Sequence, residues 1–489
     1  MNILGNMRRD RAGHLAAVPG CLALVLALAS PGFVRADVSV LVPGGSSSIL
    51  TRSGDPMYGG GTLRGALDKI YWFPSTEVGV GDLFVNHELT VPNGGMSRLH
   101  YKNGVIVERR SWVTGTHFNC SGSTTWWGTI LSCEEHPPAG NDTVGYVVEV
   151  VPYLPDLWVR RPAMGRFSHE SVIMDPGTGV FYLTDDSYTG AFFKFVPVIP
   201  GYLGAGSLYA FREPTHDWVQ VTDMVATESQ AISLGATTYP RPEDLAYNPV
   251  DDAIYIMITG RLSDPASRLG YILRYDPRAE TMERWLDCDG TVLANPDNVE
   301  VDSWGNLLVH EDQYPENNNL YGPNELLLVH LDRTIDPILV GLDLWGEPSG
   351  LEFSDSDDLF WVNWMGGANG SELIEIRCPP GWNVPPTGVP LPAPPPPALE
   401  FELVAAPNPF GSTTRLVAEV EPGADVRLEI FDVRGARWRT LIDGPLASGR
   451  LDAVWDGRDE RSRRAPRGAY YARLVAGGRA ATVPLMLAR

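Results

Sequence analysis

HESVIMDPGTGVFYLTDD, residues 169–186, is the stretch from which the fold is read. An apolar-alternating run, a turn built on Asp175, Pro176 and Gly177, and a second apolar run make a β-hairpin. The plan returns as EDLAYNPVDDAIYIMITG (243–260), DNVEVDSWGNLLVHED (297–312) and SGLEFSDSDDLFWVNW (349–364). DLFVNHE (82–88) and GTILSCEE (128–135) repeat its second half. The equivalent centres are Val85, Leu131, Tyr182, Tyr255, Leu308 and Trp361, separated by 46, 51, 73, 53 and 53 residues. A period of this size is that of four-stranded propeller blades. The expected fold is all-β: a six-bladed β-propeller followed by a small immunoglobulin-like β-sandwich.

A hairpin sets the start of its first strand beside the end of its second. Glu170 is therefore expected near Asp185 and Asp186, Asp297 and Asn298 near Glu311 and Asp312, and Glu347 near Asn363. With all blades oriented alike, these ends gather at one mouth of the central channel. Asn86, His87, Glu88, Cys133, Glu134, Glu135, His169, Glu243 and Asp244 join them there. So many carboxylates cannot crowd together unpaired. Arg166 and Arg241 are too few to neutralise them. Hard multivalent cations with oxygen ligands are the natural complement, Ca²⁺ foremost. A cysteine among them points to a transition metal as well, iron or zinc. Taken singly, each acid is also what a solvated strand end carries, and Cys133 is equally a buried structural or disulfide cysteine, with Cys120 a possible partner. His87 and His169 read either as ligands or as residues holding a carboxylate in place.

The chain has 489 residues and a formal net charge of −22. Gly and Pro make up 92 of them, which favours turn-rich β structure, while 44% apolar residues suffice for a core. So acidic a chain is not expected to bind a phosphate backbone, and no nucleic-acid partner is expected. Residues 1–36 read as an export signal: Arg8, Arg9 and Arg11, an apolar stretch Leu15 to Ala29, and a small-residue cleavage site before Asp37. The mature chain keeps Cys120, Cys133, Cys288 and Cys378, which allow three pairings. A proline-rich spacer, 379–399, divides a catalytic domain at 37–378 from a terminal domain at 400–489. Residues 401–489 carry 14 Arg and 11 acids, so the acidity belongs to the larger domain. Small substrates and an export machinery are the expected partners, and a monomer the expected state.

The large domain resembles the PhoX family of exported bacterial alkaline phosphatases. The resemblance rests on NHE (86–88), CSGSTTWWGTILSCEE (120–135), GRFSHE (165–170), VFYLTDD (180–186), FFKFVP (192–197), RPEDL (241–245), NPDNVEVDSWGNLLVHED (295–312) and EPSGLEFS (347–354). It implies a calcium and iron (Ca²⁺, Fe³⁺) centre that binds phosphate at the channel mouth. It also implies hydrolysis of phosphate monoesters, with diesters left open, by an oxo, hydroxide or water on the metal. Carried over by motif position, Cys133 is the thiolate ligand to iron, and Glu134, Glu170, Glu243, Asp297 and Glu311 are carboxylate ligands or bridges. Glu88, Asp185 and Asp312 complete the metal candidates. Arg166 and Arg241 are candidate phosphate clamps, with Glu170 beside them in the catalytic set.

Two departures from the family pattern stand out. Trp126 replaces the usual Pro before Trp127-Gly128, which raises the prospect of a changed substrate pocket, and the fourth repeat ends in Ile258-Thr259-Gly260 without an acid. The segments PNPF (407–410), FDVRGARWRTL (431–441), WDGRDE (455–460) and GAYYARL (468–474) resemble FlgD-like immunoglobulin domains, which implies type IX-like sorting. Two other readings use the same acidic mouth: a calcium-dependent hydrolase of lactones or phosphotriesters, and a non-catalytic surface propeller stabilised by calcium.

Overall fold

The computed structural model describes residues 38–199, 201–313, 323–342, 346–367, 370–384, 403–406, 410–421, 423–432, 437–447, 449–476 and 479–487. The export signal, nearly all of the proline spacer and residues 407–409 of the PNPF motif lie outside them. No helix among the described residues is long and apolar enough to cross a membrane.

Six antiparallel sheets follow one another along the chain. Their innermost strands are Leu67–Pro74, Asn119–Thr124, His169–Met174, Pro242–Asn248, Pro296–Val301 and Glu347–Phe353. Each inner strand packs beside that of the next sheet, and the sixth packs beside the first, so the ring closes. This is a six-bladed propeller. Val, Ile, Leu and aromatic residues fill the space between neighbouring blades, as in the stacked Phe167–Phe193 pair and the Trp72–Trp361 contact. The N-terminal strand Ser46–Arg52 pairs with Gly370–Arg377 and completes the sixth blade, while Val38–Val40 adds an edge strand to the fifth.

The separation of 73 residues has a structural cause. The third blade carries a fifth strand, Asp217–Val221, followed by the short helix Thr227–Ser233 and Thr238–Tyr239, before the fourth blade begins. Past the spacer, strands in a three-stranded and a four-stranded sheet share a core centred on Leu416, Leu428, Leu451 and Trp455. This sandwich touches the propeller. Tyr471 is buried in the core between blades two and three, and Met486 packs with Val151.

Trp126 sits in the turn joining the first two strands of the second blade, against Gly179 in the corresponding turn of the third. Those turns are at the opposite end of the hairpins from the acidic strand ends. The departure at Trp126 therefore does not alter a substrate pocket at the mouth.

Candidate metal centre

Every inner strand begins with the same irregularity. The ladder shifts between Leu67 and Ile70, Asn119 and Gly122, His169 and Val172, Pro242 and Leu245, Pro296 and Val299, and Ser349 and Leu351. Two residues there oppose one, which is a β-bulge, and bulges re-aim side chains at sheet ends. The first extra residue of each bulge is Asp68, Cys120, Glu170, Glu243, Asp297 or Ser349, and all six line one cavity of about 150 Å³. In four blades the residue just beyond the second strand supplies an outer ring, Glu88, Glu135, Asp186 and Asp312, and Met365 within the sixth blade's second strand lines the same cavity.

A repeated backbone bond fixes the outer ring. The N–H of Glu88 donates to Ala66 O (2.9 Å), Glu135 to Phe118 O (3.0 Å), Asp186 to Ser168 O (2.9 Å), Thr259 to Arg241 O (3.1 Å) and Asp312 to Asn295 O (3.0 Å). Four of these acceptors, Ala66, Phe118, Arg241 and Asn295, have left-handed φ of 37–56°. Such a conformation is costly outside glycine and persists only where the surroundings impose it. The sixth blade closes the ring through Gly350, where a Cβ would lie 2.3 Å from Asp68 O, and through Ser349 Oγ, which donates to Leu67 O at 2.8 Å.

Nine carboxylates therefore line the cavity with one guanidinium: those of Asp68, Glu88, Glu135, Glu170, Asp186, Glu243, Asp297, Asp312 and Glu347, with Arg241. Arg241 reaches Asp186 (3.0 Å), Glu243 (2.5 Å) and Asp312 (3.6 Å). Burial, then mutual repulsion, pushes Asp68 up to about 6 and Glu88 up to about 8. The same causes drive Glu135, Glu170 and Glu347 well above the carboxylate range. Glu243 and Asp297 are raised too, chiefly by burial, with Arg241 opposing. Asp68 Oδ2 is buried without a hydrogen-bond partner.

Three groups in this cavity can each converge on one ion: Glu88, Glu135 and His136; Cys120, Glu135 and Glu170; and Glu170, Glu243 and Asp297. In each, the ligand atoms lie within 4.8 Å of one another. Glu135 and Glu170 each belong to two groups, as bridging carboxylates would. The oxygen-rich groups suit a hard cation, and the one containing a thiol suits a transition metal. The residues present thus fit a mixed cluster.

The structure brings the sequence candidates Glu88, Glu135, Glu170, Asp186, Glu243, Asp297, Asn298, Asp312 and Arg241 together, and places Cys133, Glu134, Asp185, Glu311 and Arg166 elsewhere. Cys133 stands one strand out from the channel, in the apolar core with Val147 and Met164. The thiol at the mouth is that of Cys120, whose Sγ donates to Glu170 Oε1 at 3.1 Å. Burial and the surrounding carboxylates raise the Cys120 thiol, so a cation is needed to hold it as thiolate. Glu134 pairs with Arg160 and accepts from the backbone N–H of His117 (3.1 Å) and Gly145 (3.0 Å). Glu311 accepts from Ala294 N (2.7 Å) and Gln313 Nε2 (3.0 Å), and Asp185 lies opposite His169 in the ladder. Side chains alternate along a strand, so the member of each acidic pair that ends the strand faces away from its neighbour at the mouth. Arg166 donates to Val144 O (3.0 Å) and Asn141 O (2.8 Å) and lines a neighbouring cleft. Thr259 Oγ1 donates to Pro296 O at 2.8 Å, so the fourth blade offers no outer-ring acid. The four cysteines are unpaired thiols.

Asp68, Cys120 and His136 are mouth residues that the hairpin reading did not place there, whereas Glu347 lies at the mouth as that reading expects. A signal for the first two exists. Stacking the six strand starts as LDK, NCS, HES, PED, PDN and PSG puts a ligand-type or hydroxyl residue at the middle position each time.

The family profile described as Alkaline phosphatase PhoX matches residues 83–329. No curated protein sequence matches the chain. Among solved structures, Pseudomonas fluorescens PhoX in complex with vanadate, a transition state analogue, aligns with a TM-score of 0.58 and 19% identity over 70% of this chain and 96% of that one. PorZ, a type-IX secretion component of Porphyromonas gingivalis, aligns with a TM-score of 0.36 and 13% identity over 83% and 50%. An auxiliary nutrient binding protein from Bacteroides ovatus gives 0.41 and 10% over 68% and 76%.

Proposed function

The chain belongs to the PhoX alkaline phosphatase family and is a phosphoric ester hydrolase; on that premise we propose that its mouth binds Ca²⁺ and Fe³⁺ and hydrolyses phosphate monoesters at alkaline pH. The observation that carries the reading is the convergence of nine carboxylates and the Cys120 thiol on one cavity with a single arginine. Glu88, Glu135 and His136 would hold one hard cation, and Glu170, Glu243 and Asp297 another. Cys120, Glu135 and Glu170 would hold iron.

A phosphomonoester carries nearly two negative charges at alkaline pH and would be repelled by this mouth as it stands. Bound cations reverse the local sign and supply Lewis acidity toward the phosphoryl oxygens. The protein's own part is positional. The paired rings, each pinned by a bulge and a backbone bond, hold the carboxylates on rigid strand ends. Arg241 offers a planar donor fork at the rim, placed to take a phosphoryl oxygen once cations relieve its three carboxylate partners. The cavity's burial strengthens each of these contacts.

The test is p-nitrophenyl phosphate hydrolysis at alkaline pH by protein purified from cells supplied with iron and calcium, with and without a calcium chelator. Chelator-sensitive turnover with both metals present supports the reading. Folded, metal-loaded protein without turnover overturns it. For the rest of the chain we propose export through residues 1–36 and a sorting role for the terminal sandwich, as a FlgD-like domain. Deleting residues 1–36 should leave the protein in the cytoplasm.

A further inference from the structure

Beside the mouth lies a second cleft of about 390 Å³, which shares His136 and Asp186 with it. Its far wall, Val225 to Ser229, comes from the insertion that sets the third blade apart. That wall is firmly docked. The N–H of Arg166 donates to Thr227 Oγ1 at 3.0 Å, and Gly165 (φ 88°) lies so close to Thr227 that a Cβ would meet it at 2.9 Å. The opposite wall is Pro137 and Arg166.

We propose that this cleft receives the alcohol part of the phosphate monoester and favours an uncharged, polyhydroxylated alcohol over one bearing a second anionic group. The proposal rests on the phosphatase reading above. Hydrolysis breaks the P–O bond to the alcohol. Water supplies the oxygen that joins phosphorus and the proton that ends on the alcohol, which leaves neutral. With the phosphoryl group at the metals, the alcohol must project from the mouth, and the rim shared at His136 and Asp186 opens into this cleft.

The lining gives the chemical preference. Glu228 presents a carboxylate fixed by Ser187 Oγ (2.9 Å) and Thr189 Oγ1 (3.1 Å). Asp186 is engaged by Arg241 at 3.0 Å. The guanidinium of Arg166 is turned to the backbone carbonyls of Pro138, Asn141 and Val144. Ser168, Ser187, Thr227 and Ser229 add hydroxyls, and Phe167 and Val225 add apolar surface against which a carbon skeleton can lie. Such a lining suits hydroxyls, while a fixed carboxylate disfavours a second anion.

Glycerol 3-phosphate and 3-phosphoglycerate differ only in a hydroxymethyl group against a carboxylate. The metal-loaded full chain should show kcat/KM about tenfold higher for the former. Glu228→Gln should narrow that ratio about threefold by removing the repulsion. Ala226→Trp, at an exposed position in the wall, should lower kcat/KM for glycerol 3-phosphate relative to methyl phosphate about tenfold, mainly through KM. A ratio that moves with Ala226→Trp but not Glu228→Gln keeps the site and overturns the charge preference. Ratios unmoved by both variants, with every substrate turned over, overturn the proposal. No turnover of any of the three overturns the phosphatase reading beneath it.

Discussion

Buried acids in this protein fall into two populations. Around the blades, four of them each have an arginine: Glu134 with Arg160, Glu149 with Arg161, Glu372 with Arg52, Asp175 with Arg278. Glu149 also accepts from Trp127 Nε1 (2.9 Å) and Thr129 Oγ1 (2.8 Å), so that its lone pairs are well used. At the mouth, nine carboxylates share Arg241. The same chain thus matches charge one to one in one place and leaves a large negative excess in another. The lesson is that the mouth is not a poorly built salt-bridge network but a site completed by positive charge from outside the chain.

The contrast can be broken experimentally. Glu170 belongs to two ligand groups, so Glu170→Gln should cost the most, about 10³-fold or more in kcat with loss of bound metal, read by kinetics and elemental analysis. Arg161→Ala should do the reverse. It strands Glu149 in the core and should destabilise the fold by about 3–5 kcal/mol in denaturant titrations while metal content per folded molecule holds. A parallel loss of metal there would erase the distinction between the two populations.

Cys120→Ser should lower activity about 10- to 100-fold and shift the iron-to-calcium ratio, whereas Cys133→Ser should cost stability, about 1–3 kcal/mol, with the metal ratio kept. Equal effects would place both thiols in one environment.

The smallest effect is a pH dependence in metal-stripped protein. Asp68 and Glu88 are raised to about 6 and about 8, so the folded state binds more protons than the unfolded state above about pH 4. Stability of the stripped protein should then fall as pH rises from about 4 to about 8, and added Ca²⁺ should restore it. Thermal melts across that range check the sign; a stripped protein that gains stability with pH would contradict it.

The hairpin period was legible because each copy carries strand, turn and strand in one continuous window. The parity of the ring was not. A bulge inserts two residues opposite one, and simple alternation then slips by a position. This is why Asp185 and Glu311 read as well as Asp186 and Asp312 did, and why Cys133, beside two glutamates in sequence, outweighed Cys120. Asp68 sits in LDKIYWFP, where nothing local marks it as a ligand. Its place emerges only when the strand starts of all six blades are stacked, or from the bulge of the first blade's own ladder. The third-blade insertion was visible as a long interval, but its wall beside the mouth depends on the docking of Thr227 at Arg166.

Because the sixth blade is finished by Ser46–Arg52, the propeller is sealed between parts of the chain more than 300 residues apart. That strand must wait for the last blade before it can take its place, and until then the ring is an open arc with a bare edge at each end. Asp68 and Ser349 lie on either side of the seam. The six-sided cavity therefore comes into being only at the final step of assembly, so cation capture and ring closure should be thermodynamically linked, each ion acting as a late-arriving rivet.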